Sequence, residues 1–412
     1  MNTRPTPFLL FVFFFFFYLA AVAQVDSTLF RREKTDTAKT GLNMDAVYSR
    51  PFLGMGKLPV AVGGYVEGNW QHAGTEGISN RHQFQFRRLT LFFASSISKR
   101  VRFLTEIEFE DGTRQLAIEF AAVDLEFHPL LNLRGGMILN PIGAFNQNHD
   151  GPKWEFTDRP LSAVTLLPAT WSNPGFGFYG KWYRGAWMFG YETYVTSGLS
   201  DSLISNAAGR TSLPALKNDP NRFTGNGNGE VLWNGKLALR NDHAGELGVS
   251  AFTGVYNTWM AGGLETDRKR RCSALAIDYN HRFKKPGTSL SGEWVWISTE
   301  IPATYSQQFG ALQYGGFVDL VQPVWRRPVL HWDDAEVNCS LRFEYIDFNA
   351  GAFRETRQAI GDEIRSLMAG IGFRPNPQTI FRFNYRYMLQ RDLLGNPDIR
   401  TAVFSLGISS YF

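Results

Sequence analysis

Beyond its first two dozen residues the chain has no run of apolar residues long enough to cross a bilayer as a helix, so helical spans are excluded from the rest. Only two cysteines are present, Cys272 and Cys339. They fall on opposite parities of different strand patterns, which points to two unpaired small hydrophobes and not to a disulfide. The seven histidines are scattered, with no metal-like spacing of His or Cys. No Gly-rich loop carries a Lys-Ser/Thr pair, and no Ser/His/acid set stands out, so metal, phosphate-cradle and triad chemistry lack their residues. An excess of one charge is missing too. Lys and Arg number 42, Asp and Glu 38, and the net charge is +4. Without a basic stripe, a nucleic-acid surface is not expected. No cofactor and no catalytic residue is expected.

What the chain has is aromatic residues: 35 Phe, 15 Tyr and 11 Trp. Its mean hydropathy is nonetheless −0.21. Many aromatics in a chain that is polar on average is the balance that one-by-one alternation gives.

The start, MNTRPTPFLLFVFFFFFYLAAVAQ, has a cation at Arg4, an apolar run from Phe8, and the small-x-small triplet Ala21-Val22-Ala23 before Gln24. This pattern predicts a signal peptide over 1–23, with a retained anchor as the alternative. Residues 24–59 are polar and aperiodic, and read as a flexible periplasmic lead-in.

From Val60 to the end, 60–412, period-two alternation repeats in about sixteen segments. In VRFLTEIEFED, Phe103, Thr105, Ile107 and Phe109 oppose Arg102, Glu106, Glu108 and Glu110. In IFRFNYRYMLQ, Phe381, Phe383, Tyr385 and Tyr387 oppose Arg382, Asn384 and Arg386. Tight turns alternate with longer connections near 140–173, 198–228, 257–269, 303–310 and 349–361. The final strand, TAVFSLGISSYF, ends on Phe412. A sheet whose backbone lies in hydrocarbon has to close on itself, which makes a built-in last strand understandable. The fold expected is all-β: a transmembrane antiparallel up-and-down β-barrel of about 16 strands in the cell outer membrane, apolar to lipid and polar to the lumen.

The basic residues with lumen parity are Arg134, Lys236, Arg240, Arg282, Arg342, Arg382 and Arg386. Arg382 and Arg386, four apart, have ladder-like spacing. The same faces carry Glu106, Glu108, Glu110, Asp124, Glu126, Glu336 and Glu344, as a general diffusion channel with a transverse field would. The segment 140–173 is too long for a plain connector. It holds Lys153, Arg159 and His149, and a short helical stretch with Thr157 or Asp158 as N-cap and Leu161, Val164 and Leu167 as a stripe. Folding into the lumen and capping the outside are both open to it.

HQFQFRRLTLFFASSISKRVRFLTEIEFED followed by AAVDLEFHPLLNLRGGMILNPIGAF resembles the phosphate-selective porin O and P family of the Bacteroidetes type. The resemblance lies in Arg87-Arg88 and in the series Asp124, Pro129, Leu133, Arg134, Gly136, Asn140 and Pro141. It continues in Arg159-Pro160, Pro168, Trp171 and Gly175-Phe176-Gly177. It implies a sixteen-stranded trimeric channel with an inward-folded third loop and a lumen ladder of Arg beside a Lys cluster. The partners implied are outer-membrane lipid and small hydrophilic solutes or anions such as phosphate. The function expected is a porin. The alternative is a structural or adhesive barrel without conductance.

Overall fold

The computed structural model describes residues 41–48, 50–51 and 60–412. The expectations for 1–23, and for most of 24–59, lie outside the described residues.

Sixteen long strands follow one another: β1 Val60–Thr75, β2 Gln83–Ser98, β3 Val101–Glu110, β4 Gln115–His128, β5 Leu131–Leu139, β6 Ser172–Arg184, β7 Trp187–Ser197 and β8 Val231–Asn241. They continue as β9 Gly245–Val255, β10 Arg271–Arg282, β11 Ser289–Thr299, β12 Leu312–Arg326, β13 Glu336–Asp347, β14 Glu363–Asn376, β15 Thr379–Arg391 and β16 Ile399–Tyr411. Each pairs antiparallel with the next, and β16 pairs with β1 from Tyr65↔Tyr411 to Thr75↔Thr401. The amides of Gly64 and Phe412 each donate to the other's carbonyl, at 3.2 and 3.0 Å. The terminal aromatic therefore belongs to the seam, and the sheet has no free edge.

Burial runs opposite to that of a water-soluble protein. Leu341 and Leu367 face outward, 45% and 50% exposed, whereas Arg342, Glu344 and Asn384 are fully buried on the inner face. Neighbours in sequence take opposite surroundings because successive strand residues point to opposite faces. Cys272 is buried and inward, Cys339 is exposed and outward, and both are free.

Two bulges break the alternation where it matters. The β1–β2 register passes from Glu67↔Arg88 to Gly68↔Phe86, leaving Arg87 as an extra residue. Both arginines thereby reach inner-face partners: Arg87 donates to Asn69, and Arg88 to Glu67. Strict period two would have sent one of them outward. The second bulge, between Glu106/Ile107 on β3 and Phe120/Ile118 on β4, places Glu119 in a buried position.

Candidate functional site

The inner face is built from charged pairs set across neighbouring strands or one strand apart. On β4 and β5, Asp124 lies opposite Arg134, and the guanidinium Nε and Nη2 donate to its two oxygens at 2.7 and 3.0 Å. Two residues further along β5, Gly136 has φ 121°, and a Cβ there would meet the Ala121 carbonyl oxygen at 2.3 Å. No other residue type fits. On β8 and β10, Lys236 Nζ donates to Asp278 at 2.7 Å. On β12 and β13, Arg342 donates to both oxygens of Asp319 at 2.6 and 2.7 Å. Arg386 lies 3.3 Å from Glu344 and 3.4 Å from Asp158. Arg88 sits among Glu67, Glu108 and Glu110.

The connection 140–171 bonds to this face on strand after strand. Its Gly143 amide donates to Ser250 Oγ, and its Ala144 amide to Glu293 Oε2. Ser162 Oγ donates to Glu293 Oε1, and the Leu161 amide to Glu344. The Thr157 amide and hydroxyl both donate to Asn384 Oδ1. Arg382 Nη1 donates to the carbonyls of Gly151, Trp154 and Phe156 at 3.1, 2.8 and 2.8 Å, and its Nη2 to Glu67 at 3.0 Å. Arg342 also donates to the Asp158 carbonyl and lies against the Phe156 ring. The Asp158 carboxyl is driven up by burial, but Arg386 and Arg87 outweigh this and hold it below its ordinary value.

These bonds give the basic wall residues partners within the chain. Arg134, Lys236, Arg342 and Arg382 face inward as their parity requires, yet their charged ends are buried on partners. A cation removed from water needs a complete set of acceptors, and here the chain supplies them. Arg240 is nearer the turn end and donates to the Gly41 carbonyl at 2.6 Å. Arg282 is exposed at the same end. Lys153 Nζ lies 3.2 Å from Asp150 and donates to the Ala46 carbonyl. Arg159 Nη2 lies 3.9 Å from Glu108, and its Nε and Nη2 have no hydrogen-bond partner among the described residues. The helical stretch is the π-turn Ser162–Leu166 with Leu161 preceding it. Thr157 and Asp158 do not cap it, because Asn384 and Arg87 engage their side chains. Val164 is exposed and so is not part of a buried stripe.

A further group was not legible in the sequence. Residues 41–48 and 50–51, read as part of a flexible lead-in, are packed against the inner faces of β2 to β9. Leu42 and Met44 cluster with Ala238, and Val47 with Phe120 and Leu139. The Asn43 amide donates to both oxygens of Glu246, and Lys181 pairs with Asp45 at 2.5 Å. The Arg134 guanidinium lies 3.7 Å from the Tyr48 ring centre. Arg50 donates to Asp150 through Nε and Nη2 at 3.0 and 2.6 Å, and to Glu106 at 2.7 Å, with the Phe92 ring 3.8 Å away. Burial raises the Asp150 carboxyl, but Arg50 and then Lys153 overcome this and hold it well below the carboxylate range. Glu106, His149 and Asp150 place ligand atoms within 4.8 Å of one another. Arg50 Nη2 lies within 3.5 Å of an atom of each, so the guanidinium already supplies that cluster's cation.

No family model matches the chain. A curated relative from Aquifex aeolicus (strain VF5), described as an uncharacterized protein, is 31% identical over 166 residues, covering 36% of this chain. The match spans 37% of that relative's length. Among solved structures, the anion-selective porin from Comamonas acidovorans aligns over 86% of this chain and 99% of its own, with TM-score 0.53 and 12% identity. OmpF of Salmonella typhi in complex with daunomycin aligns over 86% and 98%, with TM-score 0.52 and 10% identity. Outer-membrane expressed OmpT of Vibrio cholerae aligns over 87% and 99%, with TM-score 0.51 and 8% identity. At these identities the likeness is one of fold: a closed sixteen-stranded antiparallel barrel.

Proposed function

We propose that the chain is an outer-membrane porin that passes small hydrophilic solutes by diffusion, with the segment 140–171 lying in the lumen as its constriction. One observation carries the reading: the sheet closes on itself with its charged side chains buried inside and its apolar ones exposed outside. Only a barrel with lipid around it and a polar interior uses residues in that way. The strands, 9 to 16 residues long, are sufficient to cross the hydrocarbon layer when tilted. The lumen placement of 140–171 is supported by its hydrogen bonds to inward side chains of β8, β9, β11, β13 and β15.

An anion or phosphate preference is the finer reading. It is supported by the resemblance to the phosphate-selective porins, clear from about residue 60 to 190 and at the C-terminus, and by the partly exposed Arg87, Arg88 and Arg159. Homotrimer formation is likewise proposed on the resemblance.

The test is a planar-bilayer recording with purified protein. Step-like conductance supports the porin, and a folded barrel that never conducts would leave a structural or adhesive role. Reversal potentials in a KCl gradient decide the finer reading: a shift toward chloride, with block by millimolar phosphate, supports it, and cation preference discards it. Membrane placement has its own check. Leu341→Arg, in the middle of β13 on the outer face, should cost about 2–4 kcal/mol in a denaturant titration of refolding into lipid.

A further inference from the structure

The inner face is covered on β2 to β4, β8 to β11 and β13 to β15. On β8 to β11, Lys236, Ser250 and Glu293 are buried under Gly143, Ala144 and Ser162. On β13 to β15, Arg342, Glu344, Asn384 and Arg382 are buried under 151–161. The wall formed by β2, β3 and β4 is covered by residues from ahead of the barrel. Toward the long-connection end of that wall, Glu110 is 28% exposed. Toward the tight-turn end, Arg102 is 56% and Glu126 31% exposed. Between these wet levels Glu106, Phe92 and Phe120 have no exposure, and what lies on them is Arg50.

We propose that residues 41–48 and 50–51 form a built-in strap that closes the channel, with Arg50 as its latch, and that conduction requires the strap to leave the lumen. This rests on the porin reading above. The chemistry suits a reversible latch. Each anchor of the strap is a charged or polar contact to a group on the wall or on the constriction: Asp45 on Lys181, Asn43 on Glu246, Tyr48 beneath Arg134, and Arg50 on Glu106 and Asp150. Groups of that kind remain satisfied by water once the strap departs, whereas an apolar plug would leave a greasy lumen. The apolar part of the strap is small: Leu42, Met44 and Val47. Removing the latch from such a segment shifts the ratio of its docked and released states.

The experiment compares the full-length protein with the variant Met44→Ser/Tyr48→Ala/Arg50→Gln in planar bilayers, folding being checked by heat-modifiable migration. The strap predicts a wild type that is mostly closed, and a rise of about tenfold or more in mean current for the variant. A second pair of measurements does not depend on that variant. Val47→Cys and Leu139→Cys, at residues that pack together, are introduced with Cys272→Ser and Cys339→Ser. Oxidation should hold this protein shut, and reduction should restore the wild-type current. Equal currents in wild type and latch variant, or in the oxidised and reduced protein, overturn the strap and leave the porin standing. No current from any folded form, reduced lock and latch variant included, overturns both.

Discussion

Replacing Arg382 with alanine should destabilise the barrel by about 3–5 kcal/mol, the usual cost of breaking a buried charged set by removing one partner. Its Nη1 is shared by three carbonyls of the connection and its Nη2 is on Glu67. The variant would leave Glu67 with Arg88 alone among its ion-pair partners. It would also take the guanidinium donor from the carbonyls of Trp154 and Phe156, while Gly151 keeps the Trp154 amide. Arg382→Lys should recover little, since an ammonium cannot span three carbonyls and a carboxylate as a planar fork does. Denaturant titration of refolding into lipid measures the loss. Current noise in the same preparation reports whether the connection 140–171 has come adrift. An unchanged midpoint, with a changed reversal potential only, would mean that Arg382 acts on passing ions and not on the fold.

This outcome also shows where sequence reading stopped. Alternation identified the strands because the two surroundings of the sheet differ at every residue, so Leu341 and Arg342 could not exchange faces. The same pattern put Arg382 and Arg386 on the inner face, as found. It could not say what stands opposite them. Their partners, the carbonyls of 151–156 and the carboxylates of Asp158 and Glu344, come from elsewhere in the chain. Parity alone therefore left a ladder and ion-paired wall residues both open, and the ion pairs and carbonyl contacts found here come from residues distant in the chain. Arg87 and Arg88 carried a local signal: an adjacent pair of cations in an alternating strand cannot both be inward without a bulge. The strap carried none. Residues 41–51 have no period, and Tyr48 and Arg50 make sense only beside Arg134, Glu106 and Asp150.

Arg342 and Asp319 should behave as one unit. Neither side chain is more than 3% exposed, and the guanidinium is set on both oxygens of the carboxylate. Arg342→Ala should cost about 3–5 kcal/mol, because it strands a carboxylate in the wall and opens space beside Phe156 and Phe317. Arg342→Met with Asp319→Leu removes both charges and refills the volume, so the pair together should cost much less than the sum of the single changes. The double-mutant cycle separates this from a role in conduction. A large coupling in refolding free energy, with unit conductance kept in the double variant, identifies the pair as a cross-strand tie. A double variant that refolds well but has lost its current would instead place the two charges on the solute's path. The tie predicts the first result because the third guanidinium nitrogen of Arg342, Nη1, donates to the Asp158 carbonyl, inside the protein.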